Sequence, residues 1–108
     1  MEKIPVITTQ NYIVYIEHYG GEVWMHSDIF KWTSKIKKTY KKQTAALMDS
    51  FKKDVYAVNF DHGWKKRDKF MKLFGFHYFG AYDFDTTKNY HIYRRQYGRN
   101  SRSNNRGT

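Results

Sequence analysis

The chain has 108 residues, no cysteine, and 20 Lys and Arg against 10 Asp and Glu, for a formal net charge of +10. That length suits one small domain with a single modest core, and the lack of cysteine excludes disulfides, thiol chemistry and cysteine-based zinc sites. MEKIPVITT does not read as a secretory leader and no run approaches about 18 apolar residues, so a cytoplasmic or particle-enclosed protein is expected, with nucleic acid or another acidic surface as the partner its charge favours.

Residues 11–19, NYIVYIEHY, are β-branched and aromatic and predict a strand. Gly20-Gly21 is a two-residue hairpin signal, and EVWMHS (22–27) is the returning strand. Residues 34–53 predict a helix, because Ile36, Tyr40, Thr44, Leu47 and Phe51 recur at spacings that share one helical face. Ser34 or Thr33 is its N-cap. The other face carries Lys35, Lys37, Lys38, Lys41, Lys42, Lys52 and Lys53 against the single acid Asp49. VYAVNF (55–60) is a nearly continuous apolar run, as expected of a central strand buried on both faces.

After Asp61-His62-Gly63, residues 64–74 predict a second helix with Trp64, Met71 and Phe74 near one side and Phe70 and Leu73 widening the stripe. HYFGAYD (77–83) and NYHIYRR (89–95) alternate as a hairpin around the polar DTTK. GRNSRSNNRGT (98–108) has no core-forming residue and is expected to be a disordered basic tail on a domain spanning 1–97. The fold class is α/β (α+β), in the order β-β-α-β-α-β-β, without internal repeats.

KFMKLFGFHYFGAYDF (69–84) admits two readings. Phe74-Gly75-Phe76 with Tyr78 and Phe79 has the look of an aromatic strand on which RNA bases stack. That module needs a β-α-β-β-α-β order and a different motif opening. Here a lysine-rich amphipathic helix runs into Gly75, which suits the left-handed residue after a helix end. The aromatics that follow then belong to a core hairpin.

This order resembles the C-terminal two-thirds of the GNAT N-acetyltransferase fold, in which a hairpin leads to the cofactor helix, then a strand, a short helix, a Gly-Phe pair and a final hairpin. FMKLFGF (70–76) looks like the helix-to-strand junction of that family. The chain is also similar to the small acetyltransferase-like internal virion proteins of short-tailed phages, in which a Ser-Asp after a strand precedes a basic helix, an aromatic strand and a helix ending in Leu/Ile-Gly. Ser27-Asp28, Ser34 to Lys53, Val55 to Phe60 and Lys69 to Phe76 carry that resemblance, which covers residues 12–95.

The resemblance implies acetyl-CoA chemistry, and the residues depart from it. Active relatives cradle the cofactor pyrophosphate with a Q/R-x-x-G-x-G/A loop whose backbone amides need clear access. SDIFKWTSK (27–35) has no glycine and carries Phe30 and Trp32. Counting back from Gly75-Phe76, the positions of the family's asparagine and tyrosine acid hold Trp64 and Met71, and methionine has no proton to donate. No catalytic, cofactor-binding or metal residue is therefore assigned, and acetyl-CoA is a cofactor only if the alternative of an active small acetyltransferase holds.

Five histidines invite a metal site. His18 and His26 flank one hairpin and His77 and His91 could face each other in another, but no HxxxH or HExxH spacing supports it. His26, Ser27 and Asp28 are not a triad, because neighbours on a strand point to opposite faces. Ser27-Asp28 is expected to end a strand. Phosphate contact is assigned to Lys35, Lys37, Lys38, Lys41, Lys42, Lys65, Lys66, Arg94, Arg95, Arg99, Arg102 and Arg106, without base reading.

The residues before Asn11 are too few for the acceptor-side helices of the family, so one sheet face is expected to be partly bare. Tyr12, Val14, Ile16 and Trp24 are assigned to it as an interface for another virion protein or a second copy. The competing expectation is that residues 1–10, with Ile4, Pro5, Val6 and Ile7, fold back over it. The functional expectation is a non-catalytic, acetyltransferase-like phage protein in the virion or host cytoplasm, linked to the particle or its assembly, with a basic surface towards DNA or an acidic partner. A free, sequence-independent nucleic-acid-binding protein is the further alternative.

Overall fold

The computed structural model describes residues 2–60, 64–85 and 88–98, with the side chains of 60, 64–66 and 82–89 left aside. Its elements are β1 (Ile4–Thr8), β2 (Tyr12–Tyr19), β3 (Glu22–Ile29), α1 (Ser34–Ser50), β4 (Val55–Phe60), α2 (Trp64–Leu73), β5 (His77–Asp85) and β6 (Lys88–Arg95). All six strands form one mixed sheet in the order β1-β2-β3-β4-β6-β5. Only β3 and β4 pair in parallel, as a helical crossover between them requires. The expected tail from Arg99 onward, Asp61-His62-Gly63 and the tip of the last hairpin lie outside the described residues.

Local chemistry accounts for the joints. Gly20 and Gly21 both take positive φ (62° and 79°), the two-residue turn whose twist matches its strands, and Tyr19 pairs with Glu22 across it. Thr33 caps α1, its Oγ1 accepting from the Ile36 amide at 3.1 Å. The helix stops at Ser50 rather than at 53, because Lys52 turns into the left-handed region at φ 54°.

α2 ends as expected. Gly75 has φ 88°, its amide donates to Lys72 O, and the Phe76 amide reaches back to Met71 O at 3.1 Å. This is the paired closure of a Schellman ending, and Met71 and Phe76 are both buried in the core beside it. Gly75 is a helix stop.

Both helices lie on one face of the sheet. Tyr40, Thr44 and Met48 of α1, Met71 of α2 and Phe74 just after it are buried with Tyr12, Val14, Ile16, Val23, Met25, Val55, Ala57 and Tyr93. The topology explains the one-sidedness. The two crossovers, β3 to β4 and β4 to β5, advance in the same direction across the sheet, and right-handed connections then deliver both helices to the same side. Among the described residues, no element covers the other face.

Two expectations about strands are corrected. Residues 4–8 neither cover a face nor lie outside the sheet. They form an edge strand antiparallel to β2, pairing Ile4 with Ile16 and Ile7 with Val14. Pro5 and the bulge beside it hid that strand from a pattern reading. VYAVNF is buried on one face only. Val55, Ala57 and Asn59 are buried while Tyr56 and Val58 are half-buried on the uncovered side.

Candidate functional site

The natural place to look for a site is where β3 and β4 part. Their ladder consists of Val23 with Val55 and Trp24 with Tyr56, and it stops there although both strands continue. On the helix side this opening is bridged by rings. Tyr40 meets Phe74 edge to face at 5.0 Å, Tyr12 at 5.1 Å and Trp32 at 5.5 Å, and Trp32 meets Phe70 at 5.4 Å. Trp32 follows β3 while Phe70 and Phe74 follow β4, so the cluster spans from one parting strand to the other. The Tyr40 hydroxyl and Ser27 Oγ share a hydrogen bond of 2.7 Å, and burial raises the phenol's pKa.

The approach to α1 is equally committed. The amides of Phe30 and Lys31 both donate to Asn11 O, at 2.8 and 3.3 Å. The Ile36 amide is taken by the Thr33 side chain. Three donors that a phosphate-binding loop would aim outward are thus satisfied within the chain. Ser27 and Asp28 lie inside β3 rather than ending it, with Asp28 accepting from the Tyr15 hydroxyl at 3.0 Å.

A second polar group lies under α2. The Tyr93 hydroxyl donates to Asp68 Oδ1 at 2.6 Å, and Lys72 Nζ sits 3.0 Å from Asp68 Oδ2. The Tyr93 bond, and after it Lys72, hold the Asp68 carboxyl below its ordinary range. Burial, then Asp68, push the Tyr93 phenol well above its own. A phenol held protonated against a carboxylate is a strut between β6 and α2, not a base at neutral pH.

The four histidines among the described residues are placed separately, and His62 lies outside them. His26 Nε2 lies 2.8 Å from Glu17 Oε1, His18 packs on the edge of Phe51, and His91 Nδ1 is 2.9 Å from the Tyr78 hydroxyl. His77 pairs with Arg94 and His91 with Ala81, so the two do not face each other. Among the described residues no three His, Asp or Glu side chains gather as metal ligands.

The basic residues fall on two sides of the molecule. Lys35, Lys38, Lys41 and Lys42 are exposed on α1 and Lys37 is half-buried. No acid among the described residues pairs with any of these five, since Asp49 is taken by Arg95 at 2.9 Å. Arg94, one residue along the strand, lies on the opposite face of the sheet, 4.7 Å above the Phe79 ring. Lys65 and Lys66 belong to the first turn of α2, and Arg99, Arg102 and Arg106 lie outside the described residues.

The residues assigned to a bare interface need correction. Tyr12, Val14 and Ile16 are 1, 0 and 3% exposed beneath the helices, so they are core. Trp24 pairs with Glu17 and lies on the uncovered face. The error is one of strand parity, for the turn register places Trp24 with odd-numbered Tyr15 and Glu17, not with Tyr12, Val14 and Ile16. Tyr15 and Glu17 share the uncovered face by that same register, and Tyr56, Arg94 and Phe79 join them through the β3–β4 and β4–β6 pairings and the ring contacts of Phe79.

Comparison with known proteins sharpens the fold and stops there. No protein-family model matches the chain, and no curated protein matches it. Among solved structures it is similar to a crystal structure of a "putative phosphinothricin N-acetyltransferase", with TM-score 0.58 and 17% identity. The fold is GNAT-like. The match covers 82% of this chain and 64% of that one, so the chain spans less than two thirds of that neighbour's length. The segment entering α1 has no glycine, and its Phe30 and Lys31 amides, with that of Ile36 in the first turn, are bonded within the chain. Met71, where the sequence resemblance would put a tyrosine acid, is buried in the core. No helix among the described residues is long and apolar enough to cross a membrane.

Proposed function

We propose that this chain is a non-catalytic GNAT-like protein that binds an acidic partner, DNA phosphates foremost, through the lysine face of α1. The observation that carries the loss of catalysis is the donation of the Phe30 and Lys31 amides to Asn11 O, where a cofactor pyrophosphate would need free donors. Phe30, 63% exposed, and Trp32 crowd the same approach. The binding role is supported by Lys35, Lys38, Lys41 and Lys42, exposed together on the side of α1 turned from the sheet. Such a surface contacts backbone phosphates without reading sequence.

A virion-associated or assembly-linked setting, in the particle or the host cytoplasm, is supported by the sequence resemblance of the basic helix and of Val55 to Phe60 and Lys69 to Phe76 to the internal virion proteins of short-tailed phages. Calorimetric titration with acetyl-CoA tests the catalytic half of this reading. No saturable heat is expected, and a micromolar isotherm would restore the reading of an active acetyltransferase. Particle proteomics tests the setting, with the chain expected at a defined copy number in purified virions.

A further inference from the structure

One row of side chains crosses the uncovered face from strand to strand. Register pairs Glu17 with Trp24, Trp24 with Tyr56, Tyr56 with Arg94 and Arg94 with His77. Read across β2, β3, β4, β6 and β5, the row is acid, indole, phenol, guanidinium, imidazole. Its middle is a continuous aromatic strip, with Trp24 and Tyr56 at 5.3 Å and Tyr56 and Phe79 at 5.6 Å. Further acids, Glu22 and Asp28, share the Glu17 end because they alternate with Trp24 and His26 on β3.

We propose that this face pairs two copies of the chain about a twofold axis that passes through Tyr56 and runs along the strands. The row is complementary to itself reversed. The axis sets Tyr56 on Tyr56 of the second copy, Trp24 on the Arg94 guanidinium, and Glu17 opposite His77 and within reach of Arg94. An indole against a guanidinium is a favourable contact, and acid meets cation at both ends. A nucleic acid would find Glu17, Glu22 and Asp28 on half of the same face, which disfavours it there.

Three further features agree. Both sheet edges are blunted, β1 by Pro5 and a bulge and β5 by register shifts between Tyr78 and Gly80 and between Tyr82 and Asp85, so association by strand addition is discouraged. The lysines of α1 point away from this face, so in the pair they stand apart by two sheets and two helix layers, far beyond the screening length of about 8 Å. Six strands spaced and extended in the ordinary way present a face of about 500 Å2. Two such faces make an interface near the lower limit of specific complexes, for which a reversible dimer with Kd on the order of 1–100 μM is expected.

Sedimentation velocity of the full chain, from low micromolar to several hundred micromolar at physiological salt, reads the association directly. Glu17→Lys and Arg94→Glu should each weaken it by about tenfold or more, and the double reversal should recover the part carried by the Glu17–Arg94 attraction, though not the indole–guanidinium contact. Within one chain these residues are three strands apart, about 14 Å, so restoration must act between copies. Circular dichroism verifies folding. Should a charge variant not fold, Tyr56→Lys sets cation against cation at the axis and should give the same loss. A monomer at every concentration overturns the proposal, and so does a double reversal that recovers nothing. A monomer whose tryptophan emission is quenched by a single-stranded oligonucleotide, with quenching abolished by Tyr56→Glu, would instead make the face a nucleic-acid platform and likewise overturn it.

Discussion

The Tyr93 hydroxyl donates to Asp68 at 2.6 Å and so joins the strand beneath α2 to the helix itself. The bond links a group pushed up in pKa to one pulled down, and each direction has a consequence for stability. The depressed Asp68 carboxyl contributes stability that is present above its unfolded pKa of about 3.9 and lost as pH falls through the folded value. The raised Tyr93 phenol contributes stability that is full below about pH 10 and lost as pH rises towards its folded value. We expect Tyr93→Phe to cost roughly 1.5–3 kcal/mol at neutral pH, the range for a hydrogen bond to a charged group. A double-mutant cycle with Asp68→Asn in urea should show coupling at pH 7 that fades in acid, only once the pH has fallen below the ordinary carboxylate range. Coupling unchanged by acid would mean the carboxylate charge contributes nothing.

Ile16 and Trp24 occupy neighbouring strands but opposite faces, and truncation should separate them. Ile16→Ala opens a cavity beneath the helices and is expected to cost about 2–4 kcal/mol. Trp24→Ala removes a half-buried cross-strand neighbour of Tyr56 and should cost about 1 kcal/mol. Chemical denaturation at low protein concentration, below any self-association, is the measurement. Equal losses would contradict the one-sided burial.

Gly75→Ala places a Cβ on a residue at φ 88°. The strain should cost about 1–2 kcal/mol and loosen the closure of Phe76 on Met71. Hydrogen exchange at the Phe76 amide should quicken by more than global destabilisation explains. An unchanged midpoint would show that the ending tolerates a side chain.

The lysine face makes a salt-dependent prediction. Replacing Lys35, Lys38, Lys41 and Lys42 by Glu should weaken duplex DNA binding for every sequence alike. For each lysine–phosphate pair removed, the slope of log K against log salt should become shallower by about 0.9. Fluorescence anisotropy across a salt series provides the slope. Binding that ignores these four substitutions would leave the lysines as a solvated surface and the binding site elsewhere.

The amino-acid sequence by itself determined the local elements. The Gly20-Gly21 turn, the four-and-three spacing on α1 and the Gly75 stop act over a few residues, where backbone sterics and side-chain periodicity decide. It also carried the lack of a glycine-bearing loop before α1, for the absence of glycine between Ser27 and Lys35 needs no coordinates. Even the pairing of Trp24 with Glu17 was present in the turn register, and only the parity of the interface residues was misjudged. What the tertiary structure alone decided was long-range. β1 exists because β2 offers it an edge, which outweighs the weak strand signal around Pro5. The Phe30 and Lys31 amides are occupied because Asn11, some twenty residues earlier in the chain, is carried beside them by the β2–β3 hairpin. Which face lies bare depends on two crossovers turning the same way, and handed connections between distant strands leave no trace in the pattern of any one segment.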